Sequence, residues 1–116
     1  MRTWGITDVG LVRSENQDAY DIRVMGSYTV AVVCDGMGGP MGGKRASAMA
    51  VELFDRELGA SLKEGMASSQ LSQLMSYSAA LANEAIYHEA QEDPVYEYMG
   101  TTMVAVVAAA GEVQIL

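Results

Sequence analysis

The stretch Tyr28 to Cys34, reading Tyr-Thr-Val-Ala-Val-Val-Cys, constrains the fold more than any other part of the chain. It is apolar and rich in β-branched residues, with Gly26-Ser27 before it and Asp35-Gly36 after it, so it reads as a short strand buried on both faces. Ala19 to Met25 alternates loosely and is joined to this strand by the two-residue Gly26-Ser27 link, which predicts a β-hairpin. A second hairpin is predicted where Thr101 to Ala110 meets Gly111-Glu112 and then Val113 to Leu116. Two helical patterns lie between the hairpins. From about Gly43 to Leu58, the residues Ala46, Met49, Ala50, Leu53, Phe54 and Leu58 recur at helical spacing. From a Ser68-Ser69 cap to about Glu92, a stripe of Leu71, Leu74, Met75, Ser78, Leu81, Ala82 and Ala85 recurs, and Pro94 ends it. Strands, paired helices and strands again define an α+β class in which helices cover a sheet.

Composition narrows the function. The 116 residues are half hydrophobic, enough for one modest globular unit. Seven basic residues stand against 15 acidic ones, for a net charge of -8, which excludes a phosphate-backbone ligand such as nucleic acid. Cys34 is the single cysteine and lies inside the apolar run, so a buried, inert thiol is expected and no intrachain disulfide can form. The nine methionines suit adaptable core filling better than metal ligation. No window reaches membrane-spanning length and the N-terminus lacks a signal-peptide core, so a cytoplasmic protein without a membrane partner is expected. The chain ends on Val113-Gln114-Ile115-Leu116 with no turn, cap or polar tail, which predicts a stop within a sheet.

Two segments carry candidate chemistry. Asp35-Gly36-Met37-Gly38-Gly39 follows the apolar strand directly. A carboxylate at a strand end is held rigidly, and the adjacent glycines let a backbone carbonyl or a ligand come close, which suits a hard divalent cation. The plainer alternative is a chain-reversing turn. Arg13-Ser14-Glu15-Asn16-Gln17-Asp18 combines a guanidinium able to grip phosphate with a carboxylate able to bind metal, or is a polar surface turn. Gly38 to Lys44 also satisfies the Gly-x-x-x-x-Gly-Lys pattern of a nucleotide-binding loop. Arg45 replaces the Ser or Thr that must hold magnesium, Pro40 removes a backbone donor, and Asp35 places negative charge beside the phosphates, so that reading fails.

Taken together, the segments resemble successive motifs of the bacterial PPM (type 2C) metal-dependent serine/threonine protein phosphatases. The resemblance rests on Thr7-Asp8-Val9-Gly10 with Arg13, on Asn16-Gln17-Asp18-Ala19, on Asp35 to Gly39 with Gly43, Ala46 and Ser47, and on Met99-Gly100-Thr101-Thr102, in family order along nearly the whole chain. It implies that residues 1–116 are the N-terminal portion of a single truncated phosphatase domain, part of a four-layer α-β-β-α sandwich with two stacked antiparallel sheets. It also implies two Mn or Mg ions and a metal-bridging water that attacks the phosphorus of phosphoserine or phosphothreonine in protein substrates, with a Ser/Thr protein kinase as partner. Carried over by position, Asp35 would bridge the metals, the Gly36 carbonyl would ligate one, Asp18 would bind metal directly or through water, and Arg13 would hold the substrate phosphate. Thr101 and Thr102 would begin a core strand.

The sequence departs from the family pattern at Pro40, where His is common, and at Lys44, where Glu is common. His88 matches no family position and is expected to face solvent or pack. The Gly-Asp-Ser-Arg segment and two further aspartates that complete the family's metal site do not occur. Because Mg and Mn favour six oxygen ligands, weak metal binding and little turnover are expected of this chain alone. A short, non-catalytic phosphatase-like protein that binds phosphoproteins or a partner is the alternative.

Overall fold

The computed structural model describes residues 17–116. Five strands and two long helices follow in the order β1 (Asp18–Met25), β2 (Tyr28–Met37), α1 (Gly39–Ser61), α2 (Ser68–Glu92), β3 (Gly100–Thr101), β4 (Val104–Ala109) and β5 (Glu112–Ile115). A 3-10 turn, Pro94–Tyr96, follows α2. The sheet is antiparallel in the order β1-β2-β4-β5, and the short β3 pairs with the end of β2. The α+β class expected from the pattern is the observed one.

The first hairpin forms where expected. Gly26 adopts a φ of 61°, and no non-glycine residue has positive φ among the described residues, which matches a tight turn with glycine at its first central position. The Ser27 amide donates to Glu64 at 3.0 Å, and the Ser27 hydroxyl bonds the same carboxylate, tying the turn to the segment between the helices.

β2 differs from expectation in two ways. It extends through Asp35 and Gly36 to Met37, so the candidate acidic residue lies within the strand rather than in the turn after it. Its burial also alternates: Tyr28, Val30, Val32 and Cys34 are buried, whereas Val33 on the opposite face is 54% exposed. The strand is therefore covered on one face only, because both helices pack on the same side of the sheet. Cross-strand register places Tyr20, Val33 and Val104 in one row, and Val24 and Val113 share their face; all five are exposed.

The covered face forms the core. Phe54, Leu58, Ala46 and Ala50 of α1 pack with Val30, Val32, Cys34, Ala105 and Val107 of the sheet. From α2, Leu71, Met75 and Ile86 join the same cluster. Burial of each large aliphatic or aromatic side chain contributes on the order of 2 kcal/mol, so this layer holds the helices to the sheet. The stripe predicted for α2 is close to the observed one: Leu74, Leu81 and Ala85 flank it half-buried, and Ile86 belongs to its centre.

Helix ends follow backbone chemistry more closely than apolar spacing does. α1 begins at Gly39, four residues before the apolar pattern starts, because Pro40 fits the first turn of a helix, where its missing N–H is not needed. α2 is capped at Ala67 and not at Ser68 or Ser69. Alanine has no side-chain acceptor, and the terminus is secured instead by Gln70, whose Oε1 accepts from the Ala67 amide at 3.0 Å. The strand predicted from Thr101 to Ala110 is interrupted at Thr102 and Met103, dividing β3 from β4. No helix among the described residues is long and apolar enough to cross a membrane.

Candidate metal centre at the β1–β2 strand ends

Asp18 and Asp35 are register partners across the β1–β2 ladder. Paired residues in an antiparallel ladder share a face, with side chains about 5 Å apart, so both carboxylates project from the uncovered face of the sheet. Like charges directly opposite one another disfavour the pairing, and a cation between them reverses that cost. Both residues are exposed. The hairpin register thus joins two acidic residues that are 17 positions apart in sequence.

Backbone bonds hold Asp35 and Gly36 from two sides. Thr102 donates its amide to the Asp35 carbonyl at 2.9 Å, and its Oγ1 accepts from the Asp35 amide at 3.1 Å. The Gly36 amide donates to the Gln17 carbonyl at 3.1 Å. Thr102, expected to begin a core strand, instead lies just after β3 and fixes both main-chain groups of the acidic residue.

Glycine is required where α1 meets the sheet. A Cβ on Gly36 would overlap the Gly43 carbonyl, and one on Gly43 would overlap the Gln17 amide. Gly38, the N-cap of α1, has a φ of 118°. Residues 39–44 are helical from the outset, so the open phosphate-cradling loop that Gly38 to Lys44 would need is not formed. Arg45, at the position that would hold magnesium in such a loop, pairs with Glu89 of α2 at 2.9 to 3.1 Å.

Of the predicted site residues, Asp18, Asp35 and Gly36 are brought together. Arg13 lies outside the described residues. His88 is exposed and 3.7 Å from Glu84 on the surface of α2, in keeping with a solvent-facing role. Cys34 is buried, and burial pushes its thiol up to about 11, so it stays protonated and unreactive. Carboxylates and backbone carbonyls are the hard oxygen donors that Mg and Mn take, so the donor chemistry fits such an ion. No group of three or more His, Cys, Asp or Glu side chains converges among the described residues, so these donors make up only part of a coordination sphere.

A second acidic cluster lies on the opposite face of the sheet, and sequence reasoning missed it. Asp55 of α1 is buried, and neither of its carboxylate oxygens has a hydrogen-bond partner. Asp21 and Arg23 of β1 adjoin it, with Arg23 Nε 2.6 Å from Asp21 and 3.7 Å from Asp55. Burial, and then the neighbouring Asp21 carboxyl, push Asp55 up to about 7. Asp21 is held below the usual carboxylate range, chiefly by the neighbouring Asp55 carboxyl and then by Arg23. The signal was present in sequence, since Asp55 directly follows two core positions of the α1 stripe, Leu53 and Phe54, but an aspartate at such a spot reads as surface.

The profile of the protein phosphatase 2C family matches residues 12–116, and the chain belongs to that family. Among solved structures, it is similar to a bacterial serine phosphatase crystallised as a point variant, at 31% identity and a TM-score of 0.84, covering 95% of this chain and 49% of that one. The S. agalactiae serine/threonine phosphatase matches at 30% identity and a TM-score of 0.84, covering 95% and 45%. The serine/threonine phosphatase Stp1 from Staphylococcus aureus matches at 31% identity and a TM-score of 0.83, covering 95% and 43%. The chain thus spans about half the length of the solved structures it matches.

Proposed function

We propose that this chain supplies the first part of a divalent-metal-dependent phosphatase site that acts on phosphoserine and phosphothreonine in proteins, residues 1–116 being the N-terminal portion of one domain. The observation that carries this reading is the cross-strand register of Asp18 and Asp35 at the strand end nearest α1. Asp18, Asp35 and the Gly36 carbonyl would hold the metal, Mn or Mg, and Arg13 would orient the phosphate. When bound, such an ion supplies charge neutralisation at the phosphoryl oxygens and lowers the pKa of water.

The chain's own groups contribute position. β1 and β2 set the carboxylate spacing, Thr102 fixes the Asp35 backbone, and the close Gly36–Gly43 contact keeps bulk away from the loop side. With only part of a donor set among the described residues, the 116-residue chain alone is expected to bind metal weakly and turn over little substrate.

The test is Mn-dependent release of phosphate from a phosphothreonine peptide by the full-length gene product. Asp35→Ala is expected to lower it by at least about a hundredfold, the scale on which removing metal support acts. Activity that survives Asp35→Ala would overturn the assignment.

A further inference from the structure

Gln17 takes part in three bonds that converge on the candidate site. Its carbonyl accepts from the Gly36 amide at 3.1 Å and from the Ser47 hydroxyl at 2.7 Å. Its side-chain Nε2 donates to the Gly39 carbonyl at 2.8 Å, in the first turn of α1. The same side chain lies over Gly43, where any Cβ would overlap it. Gln17 directly precedes Asp18, and Gly36 directly follows Asp35, so the bond between them links the two acidic positions through one main-chain contact.

Ser47 anchors this arrangement from the helix. It is buried, 1% exposed, on the face of α1 that meets the sheet. Its single hydroxyl proton has two acceptors in reach, the Gln17 carbonyl at 2.7 Å and the Lys44 carbonyl of its own helix at 3.2 Å. The shorter bond leads out of the helix to Gln17. A buried hydroxyl spent on a neighbouring strand rather than on its own helix orders that strand at the cost of a local bond.

We infer that Gln17 and Ser47 are positioning residues for the metal centre, setting the separation of the Asp18 and Asp35 carboxylates by locking the residue before one to the residue after the other. This rests on the proposed metal site. The side-chain bonds of both residues run to main-chain carbonyls, so each acts through the backbone that carries the donors. Such outer partners typically change metal affinity by about 10- to 100-fold when removed.

The test uses Mn2+ alone as probe and follows paramagnetic broadening of the Asp18, Asp35 and Gly36 amide resonances in the full-length protein. Gln17→Met removes the side-chain bond at nearly constant volume, and Ser47→Ala removes the buried hydroxyl. Leu71→Ala, in the α2 part of the core, is the control for general loss of stability. The expected result is that each of the first two variants needs about tenfold more Mn2+ for half-maximal broadening. The control is expected to melt at lower temperature and to keep the wild-type Mn2+ dependence. Wild-type Mn2+ dependence in Gln17→Met and Ser47→Ala, with only melting affected, would overturn the positioning role and leave the metal site standing. An equal loss of Mn2+ response in Leu71→Ala would overturn it too, by reducing the effect to stability. Absence of broadening in the wild-type chain would overturn both the metal site and this inference.

Discussion

Gly36 shows what the site demands of a single residue. It lies in β2 between the acidic residue and the start of α1, and it is buried against the Gly43 carbonyl. Any side chain there must push the helix off the strand. Gly36→Ala is therefore expected to destabilise the chain by about 1 to 3 kcal/mol, the usual cost of overpacking, read as a lower urea midpoint at unchanged slope. Part of this was legible beforehand: Asp35-Gly36 at a strand end signalled a close approach of backbone or ligand. What approaches is the chain's own helix, and that needed the α1–β2 crossing, which no local pattern encodes. Gln17 was hidden for the same reason, because its bonds run to residues 19 to 30 positions away.

At the scale of elements, α1 and β1 are joined by an acidic pair that responds to pH. The native fold raises Asp55 from its ordinary 3.8 to about 7, so between these values the folded chain holds a proton that the unfolded chain has released. Stability must then fall as pH rises from about 4 to about 7, and level off above. Asp21, held low, acts in the opposite sense, but only below its ordinary range. Asp55 faces Asp21 and Arg23 from β1 and the neutral Cys34 thiol from β2. Two Asp55 oxygens without donors make the charged form costly, and a proton offers the bond to Asp21 that the fixed donors do not. A fall on the order of 4 kcal/mol across that window is expected in urea unfolding at fixed salt, and Asp55→Asn should flatten it. The elements themselves were well read from sequence in kind and order. Their ends were not, because Pro40 and Ala67 begin helices through backbone geometry and a reaching Gln70 side chain, while apolar spacing starts only where the core does.

On the scale of the whole molecule, the sheet has one dressed and one bare side. Tyr20, Val24, Val33, Val104, Val113 and Ile115 are all exposed and share the face that carries Asp18 and Asp35. The apolar run of β2 suggested burial on both faces, and the composition was a fair guide to what the strand can bury. It could not tell how much partner surface these residues provide. In the two-sheet sandwich that the family resemblance implies, that bare face would meet the second sheet, and the acidic pair would lie at its margin. Manganese anomalous scattering from crystals of the full-length protein is the decisive measurement. A peak is expected about 2.0 to 2.3 Å from an Asp35 carboxylate oxygen and the Gly36 carbonyl, with Asp18 beside it. A metal bound only by residues elsewhere, with Asp18 and Asp35 untouched, would contradict it.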